Sequence, residues 1–307
     1  VSDEALAVAR ASGSRPLLEW VGGLRVAREV APWDERQVLW EQGAAVHVGD
    51  RTIPYLRVPI ELANTPDRRF RIALDTERAH LVAAELNPLR RARLDVEHQA
   101  VAALEMGDYG SALAALSGID LERLARAAEE FLLDTADMYR EALGQLVARR
   151  IGVSVQDLVR ADTAWTFRAS QSDAAFPSGA MVSLAARQMG ELGLDLGQRG
   201  RIRFDTEERP AKQPRAFCVP IRVPEEVHVV LRPHGGHGDY RTFWHELGHA
   251  MHFASVDSAR SFADRWLGDN SVTEGYAMLW AHMTMRRSWL ARYAPLAPAD
   301  LGNLAFE

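Results

Sequence analysis

The segment His245-Glu246-Leu247-Gly248-His249 places two imidazoles and a carboxylate at a spacing that suits a metal site on a helix. At about 100° per residue, His249 lies about 40° around the helix axis from His245, and Glu246 lies about 60° beyond His249. Two imidazoles one turn apart can bind one zinc ion, while the carboxylate between them reaches water beside the metal. These residues predict one Zn²⁺ per chain, bound by His245 and His249, with Glu246 as general base.

A tetrahedral zinc site needs its third protein ligand from a different direction. We predict that this ligand is Glu274, which follows in a segment expected to form a second, antiparallel helix beginning at Asn270 or Ser271. Gly248 lies inside the first helix, where it would let this second helix pack closely. Other acids in the connecting segment remain alternatives for the third ligand: Asp257, Asp264 and Asp269.

Asp239 is a suitable N-cap for the first helix, because its carboxylate can accept from free N–H groups of the first turn. The helix is predicted to run from Tyr240 to about Ala254. Asp239 is also expected to accept the second N–H of a zinc-binding histidine, since such ligands usually donate it to an oxygen. His252, on the same helix as His249, is expected to support the ligands or to be structural, because a third ligand must come from a different direction. The predicted buried stripe consists of Phe243, Leu247, Ala250, Met251 and Ala254.

The composition is that of a globular protein: 307 residues, 47% hydrophobic and 25% charged. The net charge of −6 and the scattered arrangement of the 36 basic residues argue against a nucleic-acid partner. No run of eighteen apolar residues is present, so no membrane association is expected and the predicted location is cytoplasmic. With Cys218 as the single cysteine, a zinc site must use imidazole and carboxylate ligands.

Residues 3 to about 160 carry apolar positions at helical spacing, as at Leu121, Leu124, Ala128, Phe131 and Met138. The predicted fold class is therefore mainly α, with a helical region over residues 1–170 and a zinc-binding region over residues 171–307. Breaks between helices are expected at four turn signals: Ala31-Pro32-Trp33, Asn64-Thr65-Pro66-Asp67, Asn87-Pro88 and Gly107-Asp108-Tyr109-Gly110.

Short β-branched runs between Gly200 and Arg232 predict a small antiparallel sheet beside the zinc helix. The runs are Arg201–Asp205, Ala216–Ile221 and Val227–Leu231. Pro220 and Pro224 indicate that at least one strand lies at an edge, where a missing N–H is tolerated and an extended peptide can pair.

The sequence from His245 to His252, His-Glu-Leu-Gly-His-Ala-Met-His, resembles the thimet oligopeptidase and oligoendopeptidase F family of zinc metallopeptidases. The segment Arg215-Ala216-Phe217-Cys218, the turn Gly235-Gly236-His237-Gly238 followed by Asp239, and the spacing to Glu274 match that family too. The resemblance is specific over about residues 200–280. It implies a gluzincin-type helical fold with two lobes, in which residues 1–170 form one wall of the cleft.

The resemblance also implies roles for individual residues. His245, His249 and Glu274 would bind zinc, and Glu246 would be the general base. The strand at Ala216, Phe217 and Cys218 would pair with the substrate backbone. Gly235 and Gly236 would form a turn beside the cleft, where a bulky residue would obstruct a peptide.

Members of this family place a histidine and tyrosines well downstream of the third ligand, where they stabilise the oxyanion. The given sequence ends at Glu307, and its last residues, Leu304-Ala305-Phe306-Glu307, have the pattern of an unfinished helix. We therefore expect a C-terminal segment or a second chain to complete the active site. Tyr276 and Tyr293 follow the zinc helix, but neither matches the family's position.

The expected function is hydrolysis of short peptides by a zinc-activated water, with a glutamate as general base. Two alternatives stay open from the sequence. One is a peptidase-like zinc protein that binds a peptide or a partner without cleaving it. The other is a zinc hydrolase of non-peptide amides.

Overall fold

The computed structural model describes residues 1–209, 212, 215–297, 301, 302 and 304. The chain divides into two compact units, Val1–Phe167 and Arg168–Glu307. The predicted mainly α fold with a small sheet is confirmed. The predicted division after residue 170, and the roles given to its two parts, stay predictions. The expected helix at Leu304–Glu307 lies outside the described residues except for Leu304.

The first unit consists mainly of helices, several of which begin at an aspartate whose carboxylate accepts from first-turn N–H groups. Asp67, Asp108 and Asp120 act in this way. The helices are α1 (Asp3–Ala11), α2 (Arg15–Gly43), α3 (Val58–Asn64), α4 (Arg68–Leu81), α5 (Asn87–Ala102), α6 (Tyr109–Ser117), α7 (Leu121–Ile151) and α8 (Arg160–Arg168).

Two of the four predicted helix breaks are correct. The Asn64 turn separates α3 from α4, and the Gly107 turn precedes α6. The other two are wrong: α2 continues through Pro32, and a π-helical segment, Val82–Leu86, carries the chain from α4 into α5 ahead of Pro88. Pro88 lies in the first turn of α5, where its missing N–H leaves no hydrogen bond unmade. Pro32 is retained inside a long helix that packs against α5.

A β-hairpin that the sequence analysis missed lies between α2 and α3. Its strands are β1 (Ala45–Val48) and β2 (Arg51–Pro54), and they pair antiparallel. Their inward residues, Val46 and Ile53, pack with Leu74 of α4 in one hydrophobic core of this unit. The hairpin reverses at Gly49, whose φ of 61° suits a glycine.

Asp162 of α8 is fully buried and forms ion pairs with two arginines of α4. Its carboxylate accepts from Arg71 at 3.0 Å and from Arg68 at 2.9 Å. Burial acts to raise the pKa of Asp162, but hydrogen bonds from Arg68, from the Val159 backbone and from Arg71 outweigh it, so that the pKa is lowered. This network ties α8 to the start of α4.

The predicted apolar stripe of α7 lies in solvent over most of its length. Phe131 is 65% exposed and Met138 is 67% exposed. Leu133, which is not part of the stripe, is 78% exposed. Leu121 and Leu124 at the start of the helix are exposed as well. The periodicity correctly predicts a helix here, but the face expected to be buried has no covering element among the described residues.

The second unit contains a three-stranded sheet and a set of helices around one hydrophobic core. The strands are β3 (Ile202–Asp205), β4 (Phe217–Arg222) and β5 (Glu226–Val230), in the order β3-β5-β4. The helices are α9 (Met181–Glu191), α10 (His237–Ala254), α11 (Phe262–Trp266), α12 (Asn270–Met283) and α13 (Arg287–Tyr293).

The sheet is mixed rather than fully antiparallel. β4 and β5 pair antiparallel as predicted, but β3 runs parallel to β5. β3 and β4 are not joined by a tight hairpin, so β5 can lie between them in the sheet. β5 then pairs antiparallel with β4 and parallel with β3. The prediction that a proline-containing strand lies at an edge is correct for the part of the chain that the structure describes, where Pro220 is in β4 and β4 is an outer strand of the sheet.

Helix α10 is held in the second unit by a shared hydrogen-bond acceptor. The side-chain oxygen of Gln188 in α9 accepts from the indole N–H of Trp244 at 2.8 Å and from that of Trp289 in α13 at 2.9 Å. All three side chains are buried. None of the helices in the described part of the chain combines the length and apolar character that a membrane crossing requires.

Candidate metal centre and active site

Helix α10 presents His245 and His249 on one face and buries the opposite face in the core. The predicted buried stripe is correct, since Phe243, Leu247 and Ala250 are completely buried. Met251 and Ala254 extend the same stripe. Burial of these side chains fixes the rotation of the helix, so that the two imidazoles point away from the core and toward α12.

Helix α12 brings Glu274 to the two histidines. His237 at the start of α10 bonds to the Thr284 carbonyl just after α12, while His249 bonds to Thr273 in the first turn of α12. The helices therefore run antiparallel, as predicted. They approach closely at Gly248, where a Cβ would lie 2.6 Å from the Cα of Ala277. This glycine is what allows the carboxylate of α12 to reach the imidazoles of α10.

The side chains of His245, His249 and Glu274 form a cluster with one donor atom each, all within 4.8 Å of one another. The two imidazole Nε2 atoms are 3.2 Å apart. The Glu274 carboxylate lies 3.6 Å from Nε2 of His245 and 3.8 Å from that of His249. Ligands about 2.0–2.1 Å from a tetrahedral zinc are separated by roughly 3.3 Å, so this donor set fits the ion in both chemistry and size.

The alternative acids have other partners. Asp269 caps α12 by accepting from the Ser271 backbone, which makes Asn270 the first helical residue. Asp257 accepts from the Ala259 backbone, and Asp264 accepts from the Ser261 hydroxyl. Of the candidate acids, Glu274 is the one that lies beside both histidines.

Thr273 contacts His249 of the cluster and was not identified from the sequence. Its hydroxyl oxygen is 2.9 Å from Nδ1 of His249. When that hydroxyl accepts the Nδ1 proton, the Nε2 lone pair points to the cluster, as a metal ligand requires. Burial is the main reason that the pKa of His249 is lowered, which favours the neutral, metal-binding imidazole. The sequence contained one signal for this contact: a hydroxyl-bearing residue, Thr273, directly precedes the predicted ligand Glu274.

Glu246 interacts both with His245 of α10 and with the backbone of Cys218 in β4. Burial raises its pKa, while His245, a backbone hydrogen bond from Cys218 and the charge of Arg215 act in the opposite direction. The same proximity acts on the thiol: burial, with a contribution from Glu246, raises the pKa of Cys218 to about 12. Cys218 is therefore a neutral thiol beside the candidate base.

The predicted substrate strand differs in exposure along its length. Ala216 and Cys218 are partly buried against the core, while Phe217 is 36% exposed. Among the described residues, β4 has β5 on one side and no strand on the other. The segment thus combines an open backbone edge with a position beside Glu246.

The glycine turn before α10 has a structural explanation within the second unit. Gly235 and Gly236 have φ values of 87° and 88°, which favour glycine. A Cβ on Gly235 would lie 3.0 Å from the Phe176 carbonyl, and one on Gly236 would lie 2.5 Å from the Arg168 guanidinium. Packing against these groups accounts for both glycines, and their contact with substrate stays a prediction.

Asp239 is not the N-cap of α10, which corrects the prediction. The helix begins at His237, with Gly236 as the cap residue. The Asp239 carboxylate instead accepts from the backbone N–H groups of His234 at 2.7 Å and Gly235 at 2.9 Å. It stabilises the turn that leads into α10, whereas the contact to His249 is made by Thr273.

His252 lies one turn beyond His249 and stacks on Tyr276 of α12, with ring centroids 4.9 Å apart. Its Nδ1 is buried and has no hydrogen-bond partner among the described residues. Tyr293 bonds to Glu191. The two tyrosines that follow α10, Tyr276 and Tyr293, thus contact His252 and Glu191.

No protein-family model matches the sequence, and no curated protein matches it. The fold is similar to that of a solved structure described as an oligoendopeptidase F from Bacillus anthracis str. Ames, with a TM-score of 0.67 and 15% identity over 94% of this chain and 55% of that one. It is also similar to PZ peptidase A with an inhibitor, with a TM-score of 0.65 and 15% identity over 98% of this chain and 53% of that one. The chain spans about half the length of these two structures, and over nearly all of its own length it shares their peptidase fold.

Proposed function

We propose that this protein is a zinc metallopeptidase that hydrolyses short peptides, with zinc held by His245, His249 and Glu274 and with Glu246 as general base. The observation that carries the proposal is the cluster of three donor atoms at zinc-sized separations, with Glu246 on the same helix. The similarity to an oligoendopeptidase F and to PZ peptidase A supports the reaction class.

The bound metal and Glu246 would each have a separate role in the hydrolysis. When bound, zinc would supply Lewis-acid polarisation of the scissile carbonyl and would lower the pKa of water. Glu246 would take a proton from that water and deliver it to the leaving amine. Its raised pKa, caused by burial, supports this role, because it brings the group nearer the working pH of a general base.

The open edge of β4 would hold the substrate backbone. An extended peptide paired there would lie beside Glu246, because Cys218 of β4 contacts that carboxylate electrostatically and through its backbone. Main-chain hydrogen bonds of this kind tolerate varied side chains. That tolerance suits an enzyme acting on short peptides of mixed sequence.

We also propose that a C-terminal segment or a second chain supplies the oxyanion donor. Two observations support this: the chain spans about half the length of the similar structures, and Tyr276 and Tyr293 already contact His252 and Glu191. The same observations favour one alternative function, a peptidase-like zinc protein that binds peptides without cleaving them. Loss of an oxyanion donor typically lowers kcat by about 100- to 1000-fold.

The experiment uses the zinc-loaded chain, its Glu246→Gln variant and Glu225→Gln as matched control, since Glu225 is an exposed glutamate away from the cluster. Each is incubated with quenched fluorescent peptides of about five to fifteen residues, and zinc content is measured in parallel. Cleavage that persists in Glu225→Gln and disappears in Glu246→Gln, with zinc retained, supports the peptidase. Equal cleavage by both variants contradicts the role of Glu246.

Absence of cleavage at full zinc occupancy would mean either that a further segment or a second chain must supply the oxyanion donor or that the protein binds peptides without cleaving them. Peptide affinity of the zinc-loaded protein, measured by fluorescence anisotropy, then decides whether a peptide is held. Small non-peptide amides assayed beside the peptides separate the peptidase from a general amide hydrolase.

A further inference from the structure

Helix α7 carries a mainly apolar stripe along about three heptads of its length. The intervals between successive positions alternate between three and four residues, which keeps the positions on one side of a helix. We call these positions and two large neighbours the α7 stripe: Leu121, Leu124, Ala128, Phe131, Thr135, Met138 and Ala142, with Leu132 and Tyr139 beside them. The stripe extends over about 32 Å.

The α7 stripe lies in solvent, with no covering element in the part of the chain that the structure describes. Leu132 is 65% exposed and Tyr139 is 60% exposed, in line with Phe131 and Met138. Further along the helix Val147 is completely buried, so that α7 is attached to the first unit by its C-terminal end. A monomer rarely exposes a continuous apolar face of this size, and such faces usually mark an interaction surface.

The spacing of the stripe indicates that its partner is a helix. Side chains that alternate at three and four residues insert between those of a second helix that has the same spacing. A strand presents alternate residues instead, and its period of two does not match this pattern over residues 121–142.

Acidic side chains border the α7 stripe. At about 100° per residue, the charged residue nearest to the stripe is an acid on both sides, Asp134 on one and Glu129 on the other. Neither forms an ion pair with any of the described residues, whereas Glu122 and Asp137 pair with arginines of α7. Residues 121–142 contain six acids and three arginines.

This charge pattern distinguishes between possible partners. A helix with basic side chains beside its own apolar positions would place them next to Asp134 and Glu129, where opposite charges attract. A second copy of α7 would instead bring two acidic borders together. The pattern therefore favours a basic helix over a second copy of this chain.

The similar peptidase structures indicate where such a helix can come from. This chain spans about half of their length, so nearly half of that fold has no counterpart in residues 1–307. A helix in that other part of the fold can cover the stripe.

We propose that the α7 stripe is the docking surface for an amphipathic helix with basic flanks, which belongs to the part of the peptidase fold that this chain does not span. Docking requires neither zinc nor Glu246. It is therefore tested by binding and cross-linking, and its failure is separate from failure of the proposed hydrolysis.

The first test measures binding of two labelled synthetic helical peptides by fluorescence anisotropy. Both contain about three heptads with leucine at the alternating positions, and the flanking positions are lysine in one and glutamate in the other. The proteins are the parent chain, Phe131→Glu and Leu133→Glu. The last is the matched control, because it adds the same charge to an exposed leucine of α7 outside the stripe.

We expect the parent to bind the lysine peptide about tenfold or more tightly than the glutamate peptide. Phe131→Glu should weaken binding of the lysine peptide by about tenfold or more, because it places a charge in the centre of the contact. Leu133→Glu should bind like the parent. Equal affinity of the parent for the two peptides, or equal effects of the two substitutions, overturns the proposal.

Sedimentation equilibrium tests a second copy as the occupant. We expect the parent to remain a monomer at the protein concentration that half-saturates the lysine peptide. A dimer at that concentration, dissociated by Phe131→Glu and retained in Leu133→Glu, overturns the choice of a basic helix.

Photo-cross-linking identifies the occupant in the natural assembly. Benzoylphenylalanine replaces Phe131, or Leu133 as control, in the protein expressed in its own cells, and the cross-linked peptides are sequenced by mass spectrometry. We expect position 131, and not position 133, to cross-link to a basic-flanked amphipathic segment that belongs to the rest of the peptidase fold. A cross-link to residues 121–142 of a second copy or to an unrelated protein, or no cross-link at position 131, overturns the proposal.

Discussion

The hydroxyl oxygen of Thr273 lies 2.9 Å from Nδ1 of His249, and this contact joins α12 to α10 directly behind the metal donors. Thr273 is buried, so the contact is shielded from water. It sets the orientation of the imidazole and the nitrogen that carries its proton. The residue that follows, Glu274, contributes the carboxylate of the cluster. Two adjacent residues of α12 therefore contribute to the cluster, one as a member and one by orienting His249.

Thr273→Val should weaken zinc binding by about 10- to 100-fold, because the variant keeps the shape of the side chain but cannot accept the Nδ1 proton. Zinc affinity is measured by competition with a chromophoric chelator. Thr273→Ser keeps the hydroxyl and should stay close to the parent. Equal affinity in the valine and serine variants would show that the hydrogen bond does not support the site.

Gly248→Ala should separate α10 from α12 and weaken both stability and zinc binding. A Cβ there would lie 2.7 Å from the Tyr276 carbonyl, a backbone atom that cannot rotate away. Overpacking of this kind typically costs about 1–3 kcal/mol. Urea unfolding of the metal-free protein and chelator competition measure the two effects.

Gly275→Ala is the matched control for the Gly248 substitution. Gly275 is next to Glu274 on α12, and a Cβ there meets nothing within 4 Å. The control should raise stability by about 0.5–1 kcal/mol, since alanine is the better helix former. Destabilisation of similar size in both variants would mean that close helix packing at Gly248 is not the cause.

Asp162→Asn should destabilise the first unit at neutral pH by about 3–5 kcal/mol, because buried Arg71 loses its opposing charge. The lowered pKa of Asp162 gives the pH dependence its sign. The carboxylate stabilises the fold above its unfolded pKa of about 3.9, and this stability is lost as the pH falls through the lower folded value. Urea unfolding at several pH values should show the difference between parent and variant shrinking below about pH 4. A difference independent of pH would contradict the ion-pair assignment.

Leu133→Glu should change the free energy of unfolding by less than about 0.5 kcal/mol, because Leu133 of α7 is 78% exposed. Leu74→Ala, at a fully buried leucine, should cost about 2–5 kcal/mol in the same assay. Both are measured by urea unfolding at two protein concentrations. A large, concentration-dependent loss in Leu133→Glu would instead show that the exposed apolar face is covered by another copy in solution.

The proximity of His245, His249 and Glu274 could be predicted from the sequence because its determinants are local, while metal binding by the three residues stays a prediction. The spacing of His245 and His249 fixes their common face, and the apolar stripe that contains Leu247 fixes the rotation of the helix. Gly248 correctly indicated a close helix contact. Glu274 was predicted as the third ligand with Asp269 as an alternative, and the start of α12 separates them, since Asp269 caps the helix and Glu274 lies just beyond its first turn.

The features that were missed or wrong depend on distant contacts. Asp239 was expected to cap α10, but the turn at Gly236 lets the helix begin earlier and directs the carboxylate to the His234 N–H. The direction of β3 is set by its pairing with β5, which no local pattern in β3 encodes. Pro32 is a further case in which local sequence misleads. Proline tends to end a helix, but α2, which packs against α5, continues through it.

The central claim is that His245, His249 and Glu274 together bind zinc. The most direct test is the zinc content of the parent, His249→Ala and Glu274→Ala after dialysis against a weak chelator, measured by mass spectrometry. Asp264→Ala serves as control, since Asp264 contacts Ser261 rather than the cluster. The account predicts one zinc per chain in the parent and the control, and less than a tenth of that in the two ligand variants. Full zinc content in Glu274→Ala, or none in the parent, would contradict it.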